Sequence, residues 1–234
     1  MQRQTARTAW PMFAVAVVVG LVLVYPYLGL DIGDSRLDVH DGLHYHVLVG
    51  HIATAAVALV LGPLQFVPGV RARGRVHRTL GRIYLLAGVL PSAVTAIPVA
   101  LWSGRPVTQA GLTIAAVLWL ITAGLACRAA RRGDFAGHRD WMTRNYALTF
   151  LAVTSRVIVP LLLLVRLPFG GVEAGSAGEA AISMIPVGQT LGWIVNLAVA
   201  EGVIRRRRRA PGPHPAAAGR PVTGRGGDSG RAGR

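Results

Sequence analysis

Cysteine is nearly missing from this 234-residue chain, lysine is missing altogether, and acids are few. The single cysteine, Cys127, has no partner for an internal disulfide and cannot alone build a metal site. Disulfide-stapled and cysteine-metal classes are therefore excluded, and Cys127 reads as a small buried hydrophobe at a helix end. All 25 basic residues are arginine, a compositional bias more than a mechanism, and only ten carboxylates oppose them. Charged residues make up 15% of the chain, too few for an ordinary soluble domain. Also missing are a Cys-x-x-Cys-His haem attachment, a nucleotide-binding loop, a His-Glu-x-x-His zinc-protease helix and a serine-nucleophile elbow.

Apolar residues are what the chain has in quantity: 52% are hydrophobic and the mean hydropathy is +0.47. Six apolar stretches, at about 11–30, 47–67, 79–101, 107–127, 145–168 and 182–204, each reach the roughly 20 residues that cross a 30 Å hydrocarbon core. The expected fold is an all-α, polytopic integral membrane protein, a six-transmembrane-helix bundle over 1–204. It is followed at 205–234 by a disordered Arg/Gly/Pro-rich tail. The first span follows a basic start, but it is longer than a signal-peptide core and ends at Tyr25, Pro26 and Tyr27. It is read as an uncleaved anchor.

Arginine placement sets the expected orientation. The segment Pro68–Arg82 carries Arg71, Arg73, Arg75, Arg78 and Arg82, and the segment Cys127–Arg144 carries Arg128, Arg131, Arg132, Arg139 and Arg144. The alternate loops carry only Arg36 and Arg105. With Arg3 and Arg7 at the start and the basic tail at the end, both termini are expected in the cytoplasm of a bacterial inner-membrane protein. The charge of +15 then points to anionic lipid at the tail and not to nucleic acid.

Arg156 stands inside the fifth apolar stretch, near the expected bilayer midplane, where an arginine requires a partner, a cavity or a ligand. Helical spacing aligns it with Ala152, Thr149 and Asn145. It is either a structural arginine or a contact for an anion, a quinone or a haem propionate. Glu201, the one carboxylate well inside a span, lies roughly 12 Å shallower by helical rise, whereas Gln189 and Asn196 match Arg156 better in depth.

The histidines form two groups. His40, His44, His46 and His51 are interleaved with Asp31, Asp34, Asp38 and Asp41, a loop that could hold Zn²⁺ or Cu²⁺ without matching a sharp motif; His51 is its best single ligand. The inner group is more pointed. His77–Arg78, followed by Arg82 and Tyr84, and His138–Arg139, followed by Arg144 and Tyr146, mark two similar helix entrances. Three roles stay open for this pair: metal or haem ligation by His77 and His138, proton transfer, or an interfacial belt with Trp141 and Tyr146.

The residues Gly62-Pro63-Leu64-Gln65-Phe66, then His77-Arg78-Thr79-Leu80-Gly81-Arg82-Ile83-Tyr84, then His138-Arg139-Asp140-Trp141-Met142-Thr143-Arg144-Asn145-Tyr146-Ala147-Leu148-Thr149-Phe150 carry a resemblance. They resemble the bacterial predicted membrane protein family of unknown function, domain of unknown function 2306, over roughly 45–205. His51 and Arg156 extend that likeness. The resemblance implies a polytopic membrane protein whose activity is not established.

Two main functions remain open on the sequence. One is a redox component binding b-type haem or quinone near the cytoplasmic leaflet. It would use His51, His77, Arg78, Arg82, His138, Arg144 and Arg156, with Gln65, Tyr84, Trp141 and Tyr146 lining the site. The alternative is a small-solute transporter or ligand-sensing protein with Arg156, Thr149, Gln189 and Asn196 in a central polar site. An accessory subunit, meeting a membrane partner or a second copy of itself, is the third reading.

Overall fold

The computed structural model describes residues 2–35, 39, 41–166 and 177–209. Among them there are helices and no strands. The helices are α1 (Gln2–Val24), α2 (Gly42–Leu64), α3 (Pro68–Ala72), α4 (Gly74–Ile83), α5 (Leu90–Trp102), α6 (Pro106–Arg131), α7 (Phe135–Thr149), α8 (Leu151–Arg166) and α9 (Ala177–Arg209). A π-helical segment, Tyr84–Val89, joins α4 to α5, so 74–102 runs as one rod. Five helices are long and apolar enough to cross a membrane, and α7 with α8 makes a sixth, bent, span.

Local chemistry explains the boundaries. Asp41 caps α2 by accepting from the His44 N–H at 2.7 Å, and Asp134 caps α7 by accepting from the Gly137 N–H at 2.8 Å. Each satisfies an amide that has no partner in the first helical turn. Between α6 and α7 the chain reverses at Gly133, whose φ of 74° favours glycine. Pro91 lacks the N–H that a regular α-turn would donate one turn back, and the wide π segment lies directly before it.

The spans pack in a closed circuit. α1 lies on α2, α2 on α5 and the π segment, α5 on α6, α6 on α9, and α9 on α8, which also touches α1. α7 packs against α2, α6 and α9 at once and buries Met142, Asn145, Tyr146, Leu148 and Thr149. At Gly88 the π segment comes so close to α2 that a Cβ there would lie 2.9 Å from the Ala58 backbone nitrogen. Such small-residue contacts let membrane helices approach where lipid supplies no hydrophobic drive.

The fifth span differs from the expectation. It is not one helix over 145–168. α7 starts ten residues earlier, at Phe135, and a 49° bend at Phe150 separates it from α8. No proline causes the bend, since Pro160 lies well inside α8. Side chains contact the backbone ladder on both sides of it: Thr149 Oγ1 donates to the Asn145 carbonyl, and Thr154 Oγ1 to that of Phe150. At the far end, α9 continues as helix through Arg205–Arg209; the rest of the tail lies outside the described residues.

Candidate functional site at the arginine-rich end

Two sets of polar side chains stand out, one closed and one open. The closed set is a hydrogen-bonded knot where the π segment, α6 and α7 meet. Tyr84 donates its hydroxyl to Asn145 Oδ1 at 2.6 Å and lies 2.9 Å from Thr149 Oγ1. The Trp119 indole donates to Thr149 Oγ1 at 3.0 Å. Asn145 Nδ2 donates to the Trp119 carbonyl and to Thr122 Oγ1, both at 2.9 Å. Asn145 is 0% exposed, yet its amide nitrogen and oxygen are both engaged. Such a knot fixes three helices against one another and leaves little for a ligand. Next to it, Tyr146 donates to the Leu59 carbonyl at 3.2 Å and lies over Gly62.

The open set gathers at the arginine-rich end, where α3, the start of α4, the end of α6, the start of α7 and the end of α9 come together. His138 directs Nδ1 to the Ala126 carbonyl at 2.9 Å. An Nδ1–H donated to a carbonyl leaves Nε2 as the basic nitrogen, the arrangement that orients histidines for ligation or proton transfer. His77 lies within electrostatic range of both His138 and Arg71, and its Nδ1 is buried without a hydrogen-bond partner. One turn further along α4, Gln65 Oε1 comes up against Gly81. Gln65 is 6% exposed, and its Nε2 has no hydrogen-bond partner either. A buried polar group without a partner costs on the order of 1–3 kcal/mol, which a matching ligand group would relieve.

The acids at this end are already committed. Glu201 takes a bidentate contact from Arg144, with Nη2 to Oε2 at 3.1 Å, and the Arg144 guanidinium lies 4.5 Å above the Trp141 ring. Asp140 Oδ2 accepts from Arg208 at 2.8 and 3.0 Å. Arg207 donates to Thr143 Oγ1 at 3.2 Å. Positive charge is thus in excess where the two imidazoles sit.

The other expected site residues lie elsewhere. His51 places Nδ1 2.9 Å from the Ser92 carbonyl, joining α2 to α5. His44 lies against the Trp102 ring, and His46 contacts the Gly42 carbonyl. His40 and Asp38 lie outside the described residues, and no group of three or more metal-ligating side chains occurs among those described. Arg78 and Arg82 stay on the exposed side of α4.

Arg156 is exposed on α8 and donates to the Ala152 carbonyl one turn back. The bend at Phe150 separates it from Asn145 and Thr149, which turn into the knot. Asn196 accepts from Thr154 at 2.8 Å and donates to the Ala147 carbonyl at 2.9 Å, while Gln189 Oε1 is buried without a partner. Glu201, considered on sequence as a distant partner for Arg156, pairs with Arg144 instead. Trp119 and Thr122 were not singled out in the sequence. Their signal was faint: an indole and a hydroxyl three residues apart in an otherwise apolar stretch of α6.

Comparison with known proteins adds one finding. The profile of a family described as a predicted membrane protein, DUF2306, matches residues 48–204, which takes in the closed knot and most of the open end. No curated protein and no solved structure matches the chain.

Proposed function

The chain belongs to the predicted membrane protein family DUF2306, and from that premise we propose that its working site is the arginine-rich end of the bundle. There it acts as a membrane redox component, holding a b-type haem or a quinone head group near His77 and His138. One observation carries the reading: two buried polar atoms, His77 Nδ1 and Gln65 Nε2, have no partner, and His77 lies within electrostatic range of a His138 whose Nε2 is left as the basic nitrogen.

The residues fit either cofactor through different atoms. For a quinone, Gln65 Nε2 and a protonated His77 Nδ1 are donors to carbonyl oxygens, and an imidazole can take up or release the accompanying proton. For a haem, His138 would hold the iron through Nε2, its ring oriented by the Ala126 carbonyl, and nearby arginines would neutralise propionates. Bound haem would supply one-electron chemistry; the chain's own part is to orient the ring, exclude water and set the local charge. In this reading the basic loops face the cytoplasm of a bacterial cell and the arginine tail meets anionic lipid.

A solute site around Arg156, as in a transporter or ligand sensor, draws on fewer groups, because Thr149 and Asn196 already bond to other residues. An accessory role beside another membrane protein or a second copy would use the exposed apolar faces of the spans.

The test is the visible spectrum of the detergent-purified chain, oxidised and dithionite-reduced, with a pyridine haemochrome assay and quinone analysis of an organic extract. A stoichiometric Soret band lost in His138→Ala supports haem. Co-purifying quinone lost in Gln65→Ala and His77→Ala supports the quinone form. Protein that is colourless and quinone-free after expression with haem supplied removes the redox reading.

A further inference from the structure

We propose that Gln189 and Trp193, one turn apart on α9, bind a single neutral hydroxyl group inside the bundle, that of a water molecule or of an apolar alcohol. The site shares no residue with the cofactor reading and does not depend on it.

A complementary pair of atoms carries the inference. Gln189 Oε1 and Trp193 Nε1 are both buried, and neither has a hydrogen-bond partner. The amide oxygen can only accept and the indole N–H can only donate. Contacts fix where the two side chains face. Gly188 lies against Val159 of α8, and a Cβ on Gly192 would stand 2.9 Å from Leu151 Cδ1, also of α8. Gly111 of α6 lies against the Thr190 side chain. At about 100° per residue, the α8 side and the α6 side of α9 are opposite one another, and Gln189 and Trp193 fall between them. The remaining side carries Val187, Leu191, Ile194 and Val195, all exposed, so the pair faces the interior. The Trp193 ring packs on the core cluster that holds Trp119 and Leu148.

The bend at Phe150 gives the physical reason the two atoms are unmet. Asn196 stands one turn nearer the arginine-rich end on the same side of α9. It is fully engaged, accepting from Thr154 and donating to the Ala147 carbonyl of α7. α7, which packs on α2, α6 and α9 at once, stops at Thr149, and the chain turns by 49° into α8. Gln189 and Trp193 lie beyond that point, where the central helix no longer supplies carbonyls.

Donor and acceptor together select the ligand. A hydroxyl oxygen accepts from the indole while its hydrogen goes to the amide oxygen, so one group answers both atoms. A carbonyl compound would leave Gln189 Oε1 unmet, and an ion would find no opposite charge in the pair. Ser155, buried on α8 against Gly192, puts a further hydroxyl-bearing residue at this level. Buried water occupies polar sites of this kind, where two to four groups can hold it.

The test uses the full chain with ¹⁵N-labelled indoles in a detergent that carries no hydroxyl groups. Of the five tryptophan Nε1–H resonances, the one lost in Trp193→Phe belongs to Trp193. A nuclear Overhauser signal from water to the Trp193 indole proton is expected, with none to that of Trp119, which already donates to Thr149. Gln189→Met, close in volume, should remove the signal. Benzyl alcohol is then titrated in. A saturable shift of the Trp193 resonance with loss of the water signal supports an alcohol as occupant; no response, with the water signal kept, supports water.

A Trp193 indole with neither a water signal nor a response to benzyl alcohol would overturn the site. A shift of its resonance in Gln189→Met would then identify a direct bond between the two side chains. Equal water signals at Trp119 and Trp193, unchanged in Gln189→Met, would show general solvent entry and overturn it as well. An unmoved Trp119 resonance in each variant separates these outcomes from misfolding.

Discussion

Removing the amide of Asn145 tests whether the closed knot holds the bundle together. Asn145→Ala deletes three hydrogen bonds: from Tyr84, to the Trp119 carbonyl and to Thr122. Polar contacts between membrane helices average about 0.6 kcal/mol and reach about 1.7. Three of them plus the cavity left in a fully buried position give a loss of about 2–3 kcal/mol. Tyr84→Phe removes only the hydroxyl, which strands Asn145 Oδ1, and should cost about 1–2 kcal/mol. The two changes share one bond, so the double variant should fall short of the sum by about 1 kcal/mol. Reversible unfolding in mixed micelles with increasing dodecyl sulfate measures all four proteins, and indole fluorescence offers a local probe because Trp119 is part of the knot. Strict additivity, within about 0.3 kcal/mol, would refute the coupling and with it the idea that these residues act as one unit.

Other outcomes follow from close contacts, charge and topology. Gly88→Ala forces a methyl against the Ala58 backbone and should destabilise the fold by about 1–3 kcal/mol. Gly111→Ala should cost less in the same unfolding assay. Its nominal contact is shorter, at 2.3 Å, but it meets only the Thr190 side chain, Oγ1 nearest, and no backbone atom. Glu201→Gln weakens the Arg144 pair, whose side chains are 18% and 37% exposed, so the loss should stay under about 1 kcal/mol and shrink in high salt. In a Cys127→Ser background, Arg132→Cys should react with an impermeant maleimide only from the cytoplasmic side and Ser103→Cys only from the opposite side; the reverse pattern would invert the proposed orientation.

Length and hydropathy made the helical class and the spans legible, because crossing a hydrocarbon layer dictates both. The bend at Phe150 was hidden: hydropathy runs on through 145–168, and only the cap at Asp134 and the commitments of Asn145 and Thr149 to other helices explain why the helix starts early and turns. Arg156 illustrates the cost of that omission. On one straight helix it shares a face with Thr149 and Asn145, but across the bend it does not. The entrances at His77 and His138 were visible as two similar stretches, and the structure brings both to one end. The partnerless atoms of Gln65 and His77 could not be read from sequence, since a missing partner is a property of packing.

The π segment Tyr84–Val89 has a consequence for the chain's phase. A π turn accommodates one residue more than a regular helix would, and each residue of an α-helix advances the azimuth by about 100°. Deleting a single residue there would restore regular winding and leave α5 seated on α2 and α6. Everything N-terminal to the deletion would then keep its facing, because the wide turn already absorbs the extra residue, and His77 would stay on the His138 side of the bundle. Regular winding with every residue retained is what would swing His77 by roughly that angle, from inward to lipid. The wide turn is the device by which a helix interrupted by Pro91 keeps both of its ends correctly addressed.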